Sequence, residues 1–112
     1  MDISVQYDNQ VCIVELSGRF DAQYADDIET ALGDPIRLTP QLVINMAEVF
    51  FVDSRALAVL IRAMKACRAG GGDVHLVALQ PSVYTIFELT RLDRAFQIFA
   101  TRAAALHAFG AN

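Results

Sequence analysis

The chain has 112 residues, of which 54% are hydrophobic, enough for one core and too few residues for two. Nine Lys and Arg against thirteen Asp and Glu leave a formal charge of −4, which excludes a generally basic face for nucleic acid or an anionic membrane. No apolar run reaches the roughly 18 to 20 residues of a membrane span, and Met1-Asp2-Ile3-Ser4 lacks the basic, then apolar, opening of a secretory signal, so the reading is a cytoplasmic protein with no membrane insertion.

In chain order, Ile3, Val5 and Tyr7 share one parity, Asp8-Asn9-Gln10 is a polar turn, and Val11 to Leu16 is a second apolar run. Together they predict a β-hairpin ending at Gly18. From Ala22 to Leu32, Tyr24, Ile28, Ala31 and Leu32 fall on one helical stripe, with Asp21 as the cap and Gly33 as the stop. Leu42-Val43-Ile44-Asn45-Met46 has the nearly continuous apolar character of a strand covered on both faces. Ser54 to Ala69 carries Leu57, Leu60, Ile61, Met64 and Cys67 on one stripe and ends at Gly70-Gly71-Gly72; it is the longest predicted helix.

Val74 to Leu79 supplies a further strand, and Pro81-Ser82 opens a helix with Val83, Ile86, Phe87 and Thr90 on one face. Phe96 to Phe99 forms a brief last strand, and Thr101 caps a helix running through Phe109 to Gly110. This order predicts an α/β fold with a mixed five-stranded sheet, an N-terminal hairpin and four α-helices joined by right-handed parallel crossovers, in one domain over residues 1–112. The opening hairpin and the lack of a glycine-rich phosphate loop after the first strand argue against a dinucleotide fold.

The segment Phe50 to Leu57 joins a central strand to a helix start, where open α/β sheets gather ligands and partners. A hydroxyl there faces unpaired backbone N–H groups and the positive end of the helix dipole, so Ser54 suits an added phosphate. Read by periodicity alone, Asp53 or Ser54 is instead an ordinary N-cap, and that reading has the advantage. Phe51 is assigned to the core beside the strand end. His75 and His107 have no cue linking them to Ser54 or to an orienting carboxylate, and no His, Cys, Asp or Glu cluster has metal-ligand spacing. Neither catalysis, nor a metal, nor a cofactor is expected. Cys12 and Cys67 read as buried free thiols.

The chain resembles the STAS domain family of bacterial anti-sigma factor antagonists over nearly its whole length. The resemblance rests on Leu16 to Asp21, Val43 to Met46 leading into Phe51-Val52-Asp53-Ser54, the Gly71-Gly72 pair before a strand, and Pro81-Ser82-Val83 with Phe87 and Leu92. It implies a STAS-like domain that is no enzyme, and it carries phosphorylation over to Ser54, by an anti-sigma factor with serine kinase activity. A phosphoserine phosphatase would reverse the step. The implied docking surface is Phe20, Asp21, Asp53, Ser54, Arg55, Ala56, Ala58 and Arg62. The family motif usually continues Asp-Ser-(Ser/Thr)-Gly-Leu; Arg55 and Ala56 depart from it, and both are expected on the partner-facing surface, where they would redirect partner choice. The alternative implied by the family is a non-phosphorylated adaptor in a signalling scaffold or a lipid-transport assembly. An enzyme or small-ligand carrier is a third reading.

Overall fold

A computed structural model describes residues 1–110. Strand β1 (Asp2–Asp8) turns into β2 (Val11–Phe20) through Asn9 and Gln10, whose φ angles of 49° and 69° give the left-handed turn that matches the twist of a tight hairpin. The Thr39 hydroxyl donates to the Gln10 carbonyl and ties this turn to the chain beyond the first helix. Helix α1 (Ala22–Leu38) crosses over to β3 (Gln41–Val52), and α2 (Ser54–Ala69) crosses to β4 (Asp73–Val77). After α3 (Pro81–Leu89) and the single turn α4 (Leu92–Ala95) come β5 (Gln97–Phe99) and α5 (Arg102–His107).

The sheet order is β1-β2-β3-β4-β5, antiparallel in the hairpin and parallel thereafter, as expected for the mixed five-stranded sheet. The helix count differs: five among the described residues rather than four. The added turn exists because Arg91 adopts a left-handed φ of 64°, which breaks the helical path after α3 and restarts it at Leu92. Helix α1 also runs past its expected stop at Gly33 to Leu38, through Pro35. Burial of Leu32 and Pro35 against the core offsets the missing proline N–H, and tertiary packing overrides two local breakers. The buried stripe of α1 is Ala25, Ile28, Leu32 and Pro35, rotated away from Tyr24 and Ala31, which are half-buried.

β3 is longer than its apolar run predicts, because pairing with β2 continues past Met46 through two register shifts to Phe20↔Val52. α5 ends at His107 rather than Phe109. The larger core lies between one sheet face, with Cys12, Val14, Leu42 and Ile44, and buried residues of α1, α2 and α3. Val11, Ile13, Val43 and Val77 occupy the opposite face under Ala105 of α5. β2 and β3 are therefore buried on both sides, which accounts for their unbroken apolar character. Cys12 and Cys67 are buried and unbridged, and burial pushes the Cys67 thiol up to about 11.

Candidate functional site at paired helix starts

β2 and β3 run side by side in parallel with Arg19 opposite Phe51 and Phe20 opposite Val52, so each strand delivers an aspartate to the same edge of the sheet. Asp21 and Asp53 have extended backbones and cap α1 and α2 respectively. Asp21 accepts from the Gln23 N–H at 3.0 Å. Asp53 does more: Oδ1 accepts from the Ala56 N–H at 3.0 Å, while Oδ2 accepts from the Ala22 N–H at 2.8 Å in the neighbouring helix. One carboxylate thus staples two helix starts. The Ala56 N–H holds the Asp53 carboxyl below its ordinary range, against the opposing effect of burial and with help from the N–H groups of Ala22 and Arg55 and the Arg55 charge.

Ser54 is the first residue of α2 and is exposed, its hydroxyl taking no part in the cap. Arg55 is exposed too, with Nη2 3.8 Å from Asp26 Oδ1 of α1. One turn along α2 Ala58 is half-buried, and a second turn on, Arg62 bonds Glu29 of α1 through Nε at 2.5 Å and Nη2 at 3.1 Å. The Arg62–Glu29 pair lies at a shallow groove of about 350 Å³ between the two helices, lined also by Leu32, Ile36 and Val59.

Two expectations are corrected. Phe20 is 0% exposed, because its position in β2 points it into the core, and Ala56 is 0% exposed because the third position of α2 faces inward. Neither side chain is open to solvent at this edge, and the Ala56 methyl packs in the core. Asp21 and Asp53 are half-buried, while Ser54, Arg55 and Arg62 are open to solvent.

Several contacts at the site escape sequence reasoning. Arg19 stacks its guanidinium 3.7 Å over the Phe51 ring and donates through Nε to Asp21 Oδ2 at 2.9 Å. Phe51, assigned to the core, is half-buried beneath that cation, and Phe50 is 55% exposed. Asp26 and Glu29 enter only as partners of α2. Nothing local signals these contacts, since each needs the parallel pairing of β2 with β3 or the packing of α1 on α2. Among the described residues no His, Cys, Asp or Glu group is arranged to hold a metal ion, and no helix is long and apolar enough to cross a membrane.

Comparison with known proteins gives this edge a context. An anti-sigma F factor antagonist of Paenibacillus polymyxa is 24% identical over 108 residues, covering 95% of this chain and 92% of the relative. The crystal structure of an anti-sigma factor antagonist from Mycobacterium paratuberculosis superposes with a TM-score of 0.88 at 29% identity, covering 97% of this chain and 93% of that one. The Bacillus cell fate determinant SpoIIAA in its phosphorylated form has the same fold, with a TM-score of 0.76 at 17% identity, covering 96% and 98% of the two chains. The STAS domain profile matches residues 2–105, and on that match, over the sheet and helices just described, the chain belongs to the STAS domain family.

Proposed function

We propose that this protein is a cytoplasmic anti-sigma factor antagonist that acts by partner switching. With Ser54 unmodified, the surface of Asp21, Asp53, Ser54, Arg55, Ala58 and Arg62 docks on an anti-sigma factor that is also a serine kinase and frees a sigma factor. Phosphorylation of Ser54 by that partner ends the docking, and a phosphoserine phosphatase restores it. The observation that carries the reading is the exposed Ser54 hydroxyl at the start of α2, beside a carboxylate already committed to two backbone N–H groups. Asp53 holds the helix start whether or not Ser54 is modified. A phosphate adds about −1.5 to −2 charges next to Asp53, and the helix dipole favours negative charge at that end. The fold stays while the surface potential changes.

The required energy is modest. A hundredfold loss of affinity corresponds to about 2.8 kcal/mol, within the several kcal/mol that like charges cost when an interface juxtaposes them. The anti-sigma F factor antagonist of Paenibacillus polymyxa supports the reading by its name, and the phosphorylated form of SpoIIAA supports it by its state. The protein contributes no catalysis, metal or cofactor of its own, inserts in no membrane and touches no nucleic acid directly. In a binding titration against the cognate anti-sigma kinase, Ser54→Asp binds at least tenfold more weakly than the unmodified protein. Ser54→Ala binds normally and resists phosphorylation. Equal affinity of the two variants rejects the switch.

A second reading, a non-phosphorylated adaptor in a signalling scaffold or lipid-transport assembly, draws on Arg55, a long cation beside Ser54 held only at 3.8 Å by Asp26. Such a cation pairs with an added phosphate and dulls its repulsion. Copurification with an ATPase of the histidine-kinase type favours switching; copurification with membrane-transport subunits or a large assembly favours the adaptor.

A further inference from the structure

Strand β1 is an open sheet edge, and its backbone and side chains point to the same occupant. The two-residue turn at Asn9 and Gln10 makes Asp8 and Val11 the doubly hydrogen-bonded pair that closes the hairpin. Counting back through the register, Gln6, Ser4 and Asp2 bond towards β2, opposite Ile13, Glu15 and Ser17. Ile3, Val5 and Tyr7 occupy the alternate positions, so their N–H and C=O groups point out of the open edge. These three also carry the apolar side chains of the strand. Ile3 packs against the core, but Val5 and Tyr7 are 41% and 52% exposed, and Leu38 at the end of α1 is 73% exposed.

Edges of this kind are usually blunted by a lysine, a proline, a bulge or extreme shortness. β1 has none of these over its seven residues, and its register with β2 is unbroken. The opposite edge, β5, has only three residues and cannot extend a sheet far.

We propose that β1 pairs antiparallel with β1 of a second copy, about a two-fold axis through Gln6. Of the registers that satisfy outward-pointing backbone groups, centring on Ser4 pairs Ile3 with Val5 and leaves the exposed Tyr7 opposite Met1, outside the strand; two others bring Tyr7 into the pairing. Centring on Val5 sets Asp2 directly against Asp8 of the other copy, a like-charge contact repeated by symmetry. Centring on Gln6 sets Val5 against Tyr7, an aromatic and β-branched cross-strand pair, and Ser4 against Asp8, where the hydroxyl donates to the carboxylate. The Gln6-centred register meets no charge conflict and buries the two exposed apolar side chains against each other. A two-fold contact through one edge closes at two copies, and the short β5 offers no route to a filament. Asp2 pairs with Ser17 near the carboxyl end of β2, so Gln6 lies toward the other end of the sheet from Ser54. Both copies keep the helix-start site open.

In the paired register Gln6 faces Gln6 of the second copy at a non-hydrogen-bonded position, where Cα atoms lie about 4.5 Å apart, inside the range a disulfide spans. Gln6→Cys therefore crosslinks to a dimer under mild oxidation at least tenfold faster than Ser4→Cys, with Cys12 and Cys67 too buried to compete. The unsubstituted full-length protein sediments as a concentration-dependent dimer. Val5→Lys, at an exposed position, sediments as a monomer with an unchanged circular dichroism spectrum. A natural chain that remains monomeric to millimolar concentration overturns the proposal and leaves the edge to a strand from another protein. Equal crosslinking of the two cysteine variants, or open-ended association, overturns it as well.

Discussion

Asp53 is the residue on which the helix-start edge depends. Its two oxygens serve N–H groups of different helices, at 3.0 Å and 2.8 Å, so one side chain fixes both the start of α2 and its distance from α1. Asp53→Asn keeps one acceptor and loses the other, and the expected cost at neutral pH is about 1 kcal/mol, that of one lost hydrogen bond. The pH dependence follows from the lowered pKa of Asp53. A carboxyl lowered by folding stabilises the protein above its unfolded value of about 3.9 and ceases to do so as pH falls through the folded value. Chemical denaturation from pH 7 down to pH 2 should therefore show a gap between the natural protein and Asp53→Asn that closes on the acid side. A gap that stays constant removes the charge of Asp53 from the account.

At the scale of elements, the connection from α2 to β4 shows two glycines in different roles. Gly71 has a φ of +87° with open space around its Cα, a left-handed residue past the helix end. Gly72 bonds its N–H to the Cys67 carbonyl at 2.9 Å, and a Cβ placed there overlaps the Pro40 carbonyl. That carbonyl also accepts from the Asp73 N–H at 3.1 Å, which starts the pairing of β4 with β3. Gly72→Ala must displace backbone and is expected to cost about 1 to 3 kcal/mol, as over-packing does. Gly71→Ala pays only the left-handed penalty of about 1 to 2 kcal/mol. Denaturant midpoints of the two variants compare the roles. The glycine run was legible in the sequence as a helix stop, but the close approach of Pro40 was not, because it joins segments thirty residues apart along the chain by about one van der Waals contact.

Over the whole molecule, the two faces of the sheet are covered unequally. Four helices, α1 to α4, lie on one side, whereas the other relies on α5 and the residues just beyond it to cover Val11, Ile13, Val43 and Val77. His75 holds that cover in place. It is 5% exposed, its Nδ1–H donates to the Ala105 carbonyl at 2.9 Å, and its ring stacks on Phe109 with centroids 3.6 Å apart. Nothing in the sequence links His75 to Ser54 or to a carboxylate, and its partner on α5 is visible only in three dimensions. His75→Leu leaves the Ala105 carbonyl without its donor and is expected to cost about 1 to 3 kcal/mol. Hydrogen exchange should show α5 amides losing protection while those at the start of α2 keep theirs. Equal loss at both places indicates global destabilisation and no separable cover.

Local chemistry determined the strands, the caps at Asp21, Asp53 and Thr101, the glycine stop after α2 and the position of Ser54 at a helix start, because each depends on residues within about one turn of one another. The tertiary structure decided the rest. It carried α1 through Gly33 and Pro35, since burial of Leu32 and Pro35 outweighs the local cost of two helix breakers. It turned Phe20 and Ala56 into the core, brought Arg19 over Phe51, and gave Asp53 its second helix. These outcomes depend on β2 lying parallel to β3 and on α1 packing against α2, contacts between residues some thirty positions apart, whose energies a reading of local periodicity does not contain.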